Sequence, residues 1–192
     1  MLTRRVWLYR TGGAALTAML ATRHSIAELT ILPEKPFIVL LRGIYQPVKD
    51  GPNLGLTGIN LSDGSYAQTL IYPVFEVPER NDEKKGNNVG NKPIGKFYTQ
   101  ANAPAPGSLC AYELPDGALA MEFQGGQLTP HPDGTGGRYL AGTLELPIKD
   151  ATGIYKAFKG GHNHMVVNRF HELADGKMDE NCFCNISPYQ FP

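Results

Sequence analysis

Long apolar segments are absent from this chain of 192 residues, and so is any excess of basic side chains. The run Gly12 to Ala21 is well short of the roughly 20 residues that a membrane-spanning helix needs. With 18 basic and 18 acidic side chains and no basic stripe, the sequence gives no support to nucleic-acid binding. It also lacks a phosphate-binding loop, a Gly-x-Ser-x-Gly elbow and a dinucleotide fingerprint, which removes the support for those enzyme classes.

Cysteine is scarce, with only Cys110, Cys182 and Cys184 in the chain. Because no Cys-x-x-Cys spacing occurs, a zinc site built on cysteines is not indicated. A bridge between residues two apart on an extended strand is geometrically poor, so Cys182 and Cys184 do not pair with each other. Two alternatives remain: a disulfide from Cys110 to one of this pair, or three buried free thiols. No helix start precedes Cys182, so a nucleophilic thiol is not favoured.

Helical periodicity is also missing, since no window sustains it for more than about three turns. Short β-rich runs, separated by turn residues, recur instead at hairpin spacing and give eight or nine strand candidates. They predict an all-β sandwich or closed antiparallel barrel. The candidates are 36–46, 55–61, 65–77, 94–100, 108–114, 118–125, 137–146, 161–173 and 180–187.

Asp-Gly, which supplies the positive φ that tight hairpin turns need, occurs five times in the chain. Asp116-Gly117 and Asp175-Gly176 each join two strand candidates directly, so we predict hairpins there. The polar segment 78–93 is predicted to be a mobile surface loop, and 101–107 a stiffer connector. No repeat or domain boundary is visible.

The first 27 residues have the order of an export signal, with charged, apolar and small-residue regions in turn. The pair Arg4-Arg5 favours the twin-arginine route; the alternative is an ordinary secretory signal with a chance arginine pair. This segment holds four of the 18 basic side chains and no acidic one, so residues 28–192 carry a net charge of about −4. We therefore expect one exported domain, periplasmic or secreted, with no stable membrane span after cleavage.

A specific resemblance lies in residues 136–187. The segment GGRYLAGTLEL leads into LELPIKDATGIYKAFKGG, which is followed by a further strand, an Asp-Gly turn and a last strand. Near the other end of the chain, Gly51-Pro52-Asn53 follows the first strand. This order resembles the dirigent and allene oxide cyclase families. The resemblance implies an eight-stranded antiparallel β-barrel with a central cavity, and a homodimer or homotrimer. The first strand does not carry the His-Asp pair of dirigent proteins, so no catalytic residue is carried over.

The stretch 151–172 holds three of the five histidines. Alternate residues of a strand share a face, so His162 and His164 lie on one face and His171 on the other. Two such imidazoles can chelate a metal if a third ligand joins them, and His131 or Glu122 are the candidates. The alternative, which we favour, is a glycine-marked turn leading into a strand whose histidines are hydrogen-bonded and partly line the cavity.

A barrel cavity suits a small apolar or aromatic ligand. The sequence thus predicts a small exported barrel that binds such a molecule and that directs a cyclisation, isomerisation or stereoselective coupling, with no cofactor. A metal-dependent enzyme with a His-x-His site and a non-catalytic binding or structural barrel are the alternatives. The candidate ligand-binding residues are Arg42, Tyr45, Tyr72, Tyr112, Tyr139, His162 and His164.

Overall fold

The computed structural model describes residues 34–76 and 87–190. The predicted export signal, 1–27, lies outside the described residues, as does most of the predicted loop 78–93. No helix in the described part of the chain is long and apolar enough to cross a membrane. The strands in these ranges are β1 (Phe37–Pro47), β2 (Tyr66–Glu76), β3 (Asn87–Val89), β4 (Gly95–Gln100), β5 (Leu109–Leu114), β6 (Gly117–Glu122), β7 (Gly125–Pro132), β8 (Arg138–Ala151), β9 (His162–Glu172) and β10 (Met178–Ser187).

Eight of these strands close into an antiparallel barrel in the order β1, β10, β9, β8, β6, β5, β4 and β2. The ring closes at β1, which pairs with β10 from Phe37↔Ile186 to Ile44↔Asp179 and with β2 on its other edge. Every strand of the ring therefore has two neighbours, and the closed sheet has no free edge along this path. The prediction of an eight-stranded barrel is confirmed, and a sandwich is excluded.

Two hairpins of the barrel lie where the Asp-Gly pairs predict them. Asp116-Gly117 joins β5 to β6, with Asp116 at φ 64°, and Asp175-Gly176 joins β9 to β10, with Gly176 at φ 76°. Backbone with positive φ matches the twist of the flanking strands, which explains why these dipeptides mark the turns.

The two remaining strands lie beside the ring, because β3 pairs with β2 and β7 pairs with β8. The sequence did not predict β7, which contains the candidate metal ligand His131. Pro130 and Pro132 cannot donate hydrogen bonds, but an edge strand tolerates proline where its N–H side is unpaired. The carboxylate of Asp133 closes the β7–β8 turn by accepting bonds from the backbone N–H groups of Thr135 and Gly137.

The predicted strand over 55–61 is wrong. These residues form a loop on the outer face of the barrel, where Leu56 and Leu61 are buried against Tyr98 of β4. Gly58 has a φ of 80°, which interrupts the extended backbone that a strand requires. The apolar residues of this segment therefore pack as a loop on the barrel and do not form a pleated strand.

A 3₁₀ helix, Gly153–Phe158, closes one end of the barrel between β8 and β9. Tyr155 and Phe158 from this helix are fully buried, and their rings lie 6.0 and 5.4 Å from the ring of Phe37 at the start of β1. Because strands β1, β8, β9 and β10 all begin or end here, these aromatic rings fill the interior at this end.

The three cysteines are free thiols that lie buried in the barrel interior. Of the two alternatives that the sequence left open, the structure contains the free thiols. Burial raises the pKa of Cys110, Cys182 and Cys184 far above the usual value, so each thiol stays protonated at neutral pH.

Candidate functional site

A cavity of about 290 Å³ lies at the barrel end opposite to the 3₁₀ helix. Its walls come from the last residues of β1, β4 and β9, from the first residues of β2 and β10, and from the connector 101–104. Most lining side chains are apolar, among them Phe97, Phe123, Met165 and Phe170. No lysine, arginine or histidine of the described residues lines it.

Glu180 is the one carboxylic acid among the residues that line this cavity. It belongs to the inward-facing set of β10, alternating with outward residues, and only 4% of its surface is exposed. The hydroxyl of Tyr45 on β1 donates a 2.6 Å hydrogen bond to Oε2, and the thiol of Cys182 donates to Oε1 at 3.2 Å. The carboxyl group is therefore fixed between two neighbouring strands.

Burial raises the pKa of Glu180 to about 7, more than the hydrogen bonds from Tyr45 and Cys182 lower it, and the charge of Asp179 adds a smaller upward shift. Burial also raises the pKa of Tyr45 well above its usual value, so its hydroxyl stays a donor. The cavity thus holds a carboxyl group that changes charge near neutral pH, without a basic side chain to compensate it.

Aromatic rings surround this carboxyl group. The ring of Tyr45 lies edge-on to Phe97 at 6.5 Å and to Phe170 at 6.2 Å, and all three side chains line the cavity. Interlocked rings of this kind hold their neighbours in fixed orientations. The carboxyl group and the aromatic wall are therefore set in place by the barrel itself.

Thr99 of β4 adds a second polar group, three strands round the barrel from Glu180. Its hydroxyl is buried and has no hydrogen-bond partner among the described residues. Buried hydroxyl groups are normally paired, so an unpaired one in a cavity wall is suited to a polar group of a bound molecule. Gln100 beside it is already engaged, because its side-chain oxygen accepts a bond from the Leu109 N–H at 2.7 Å.

Of the predicted tyrosines, the structure places Tyr45 in the cavity wall and Tyr112 deeper in the barrel interior. The hydroxyl of Tyr112 accepts a 3.0 Å hydrogen bond from the side-chain amide of Asn163, so it belongs to the packed core. Tyr72 lies on the outer face opposite Leu40. These residues do not converge on one point.

Arg42 and Tyr139 also lie apart from the cavity. Arg42 is exposed on the outer face of β1, between Asn181 and Leu70 of the adjacent strands. Tyr139 lies at the start of β8, beside the β7–β8 turn. Its ring stacks on the ring of His131 of β7, with the ring centres 5.5 Å apart. An arginine next to an apolar strand run thus points outward, where its charge remains solvated.

His162 and His164 share a face of β9 as predicted, but that face is the outer one. The inward residues are Asn163, Met165 and Val167, which are buried. Both imidazoles contact Glu145 on β8: His162 meets Oε2, and His164 Nδ1 lies 2.7 Å from Oε1. The prediction that these histidines line the cavity is wrong, because strand alternation fixes which residues share a face but not which face is inside.

The third metal ligands suggested by the sequence do not join this pair. His131 stacks on Tyr139, and Glu122 forms an ion pair with Lys149 at 3.2 Å. Within residues 34–76 and 87–190, no group of three or more His, Cys, Asp or Glu side chains is arranged to hold a metal ion.

Burial raises the pKa of Glu145, but the bonds from the imidazoles of His162 and His164 lower it, and the net shift is downward.

Glu180, the central polar group of the cavity, is not among the site residues predicted from the sequence. A signal exists in β10, where Glu180 is in phase with Met178, Cys182 and Cys184, while Asp179 and Asn181 lie on the alternate positions beside it. An acid in phase with apolar residues on a barrel strand indicates a buried carboxyl group. Proximity to Tyr45 could not be inferred, since it depends on the register between the first and last strands.

Comparisons with known proteins give no relatives: no family model, curated protein or solved structure matches this chain. The resemblance to dirigent and allene oxide cyclase proteins therefore stays a prediction. The function must be argued from the cavity and from the residues that line it.

Proposed function

We propose that this protein binds a small, largely apolar molecule in the cavity at the open end of its barrel. The observation that carries the proposal is a cavity of about 290 Å³ with an apolar wall and one fixed carboxyl group, Glu180. Ligand sites are typically concave, mainly apolar and provided with a few placed polar groups, at about 300 to 1,000 Å³. This cavity lies at the small end of that range.

The barrel supports binding because its walls are formed before a ligand arrives. Closed hydrogen-bond ladders hold the strands, and Tyr45 is fixed both by Glu180 and by its contacts with Phe97 and Phe170. A site that needs no reordering loses little of its binding free energy to conformational entropy. Ala103 and Pro104 of the connector contribute to its rim.

Glu180 also favours a second candidate, a reaction on the bound molecule. A carboxyl group that titrates near neutral pH can take a proton from a ligand and return it elsewhere, as an isomerisation or cyclisation requires. The proton that leaves one position is added at another, so no oxidant or cofactor is needed. Conversion of a bound compound by the wild type but not by Glu180→Gln would support turnover; equal rates would exclude this role.

Filling the cavity should weaken ligand binding strongly. Ala67 lies on the inner face of β2 in the cavity wall, so the Ala67→Phe ring is expected to occupy the space of the ligand. We expect propylbenzene, titrated by calorimetry, to bind the wild type and to lose at least about tenfold in affinity with this variant.

The matched control is Leu70→Phe, because Leu70 lies on the outer face of the same strand and is 39% exposed. This variant should bind propylbenzene as the wild type does. Absence of propylbenzene binding to the wild type, or unchanged affinity in Ala67→Phe, would contradict the proposed site.

A further inference from the structure

We propose that the molecule bound in this cavity is a small apolar amine, whose positively charged nitrogen binds the carboxylate of Glu180. This inference rests on the proposed function and specifies its ligand class. It follows from the charge, the hydrogen bonds and the aromatic wall of the site.

The first observation is a missing positive charge. Glu180 is almost fully buried, yet its bonding partners, Tyr45 and Cys182, are neutral donors. Buried carboxylates in proteins are usually paired with a cation, because hydrogen bonds from neutral groups offset only part of the lost hydration. No basic side chain of the described residues lines the cavity, so a ligand is the source of charge that this site can accept.

The second observation is the unused hydrogen-bonding capacity of the carboxylate. Each carboxylate oxygen accepts about two hydrogen bonds. Tyr45 occupies one position on Oε2 and Cys182 one position on Oε1, which leaves a position on each oxygen. An ammonium group has three donors and can use them. Glu180 lines the cavity, so a ligand nitrogen can reach it.

The third observation is the set of aromatic rings. Tyr45, Phe97 and Phe170 line the cavity with Glu180, and the ring of Tyr45 lies 6.5 Å from that of Phe97 and 6.2 Å from that of Phe170. Aromatic faces attract cations that lie within about 6 Å of the ring centre, most strongly where water is excluded. Rings also bury the apolar part of an amine. A carboxylate ligand, in contrast, would meet Glu180 without any compensating cation.

The pH dependence separates an amine from a neutral ligand. The titratable groups near Glu180 are Tyr45 on β1, Cys182 and Cys184 on β10, and Cys110 and Tyr112 on β5, all of which stay protonated at neutral pH. The facing residues of β9, Val167 and Phe170, do not titrate. Asp179 adds a negative charge that is paired with Arg169. Near pH 7, therefore, the ionisation of Glu180 controls amine binding.

The test compares compounds of nearly equal size: phenethylamine, phenethyl alcohol, propylbenzene and 3-phenylpropionate. At pH 8 we expect phenethylamine to bind the wild type about 10- to 100-fold more tightly than propylbenzene, and 3-phenylpropionate to bind most weakly. Between pH 8 and pH 6 the amine should lose affinity, by about tenfold per unit below the pKa of Glu180. The affinity of phenethyl alcohol should not fall.

Glu180→Gln should remove the advantage of phenethylamine over propylbenzene, while Glu122→Gln, on the outer face beside Lys149, should keep it. Equal wild-type affinities for phenethylamine and propylbenzene, or an amine affinity that does not change from pH 6 to pH 8, would overturn the inference. Because propylbenzene binding would remain, that outcome leaves the proposed function intact. The wild-type pH series gives this answer even if Glu180→Gln does not fold.

Discussion

Between pH 4 and pH 8, the wild type is expected to lose about 3 kcal/mol of unfolding free energy relative to the Glu180→Gln variant. The reason is the raised pKa of the buried carboxyl group, about 7 against a usual value of 4.5. Glutamine keeps the shape and the oxygen that accepts the bond from Tyr45, but it carries no charge.

The direction follows from proton binding. Between pH 4.5 and pH 7 the unfolded chain loses the proton of Glu180 while the folded barrel keeps it. The wild type therefore loses stability from this group as the pH rises through that window, and the loss is complete above about pH 7. Other carboxyl groups, such as Asp133 and Asp150, have lowered pKa values and act oppositely, but they are common to both proteins.

Urea unfolding of both proteins at pH 4, 5, 6, 7 and 8 measures this difference, with Glu122→Gln as a control on the outer face. The difference between wild type and Glu180→Gln should grow up to about pH 7 and then stay constant. If the unfolding free energies of the two proteins changed with pH in parallel, Glu180 would be hydrated and the cavity would not contain a buried carboxyl group.

The second large effect is expected at the closed end, where Phe158→Ala should cost about 3 to 5 kcal/mol of unfolding free energy. Phe158 is fully buried and its ring lies 5.4 Å from Phe37 and 6.1 Å from Tyr155. Truncation of this side chain leaves a cavity among the aromatic rings that fill this end of the barrel. The cavity persists because a closed sheet can relax only partly.

The control for this variant is Ile154→Ala in the same 3₁₀ helix, where the side chain is 38% exposed. Its cost should stay below about 1 kcal/mol, as usual for a partly exposed position. Urea unfolding at pH 7 distinguishes the two. Similar losses in both variants would show that the helix does not close the barrel with Phe158.

The loss of stability that the buried charge of Glu180 causes above pH 7 is informative about the role of this residue. Glutamine would accept the same hydrogen bond from Tyr45 without the penalty of a buried charge. An ionisable group that destabilises the fold but is kept in a cavity is typical of a binding or catalytic site. The stability experiment and the amine titration therefore examine the same group through independent properties.

The all-β hairpin architecture could be predicted from local features, because turn chemistry and strand pattern act over short stretches. The choice of a closed barrel over a sandwich came only from the resemblance to dirigent and allene oxide cyclase proteins. Asp116-Gly117 and Asp175-Gly176 identify hairpins by the φ values that they allow. The errors arise where neighbours decide the outcome. Leu56, Ile59 and Leu61 lie in an apolar segment bounded by glycine but pack as a loop on the barrel surface, and Pro130 belongs to a strand only because β7 is an edge.

The site was less predictable, since it depends on which face of each strand is inside. For β9, alternation correctly separated His164 from Asn163 but could not tell that Asn163 faces the interior. Tyr45 and Glu180 are 135 residues apart and meet only because the barrel closes between its first and last strands. Sequence spacing contains no information on such a contact.

The most direct test of the account is the ionisation of Glu180 in the free protein. The side-chain carboxyl carbon can be followed by ¹³C NMR from pH 4 to pH 9, with Glu180→Gln identifying its signal. We predict a midpoint near 7, as burial in an apolar cavity requires. A midpoint near 4, the value of a hydrated glutamate, would contradict the buried carboxyl group without a cationic partner on which the proposed amine site depends.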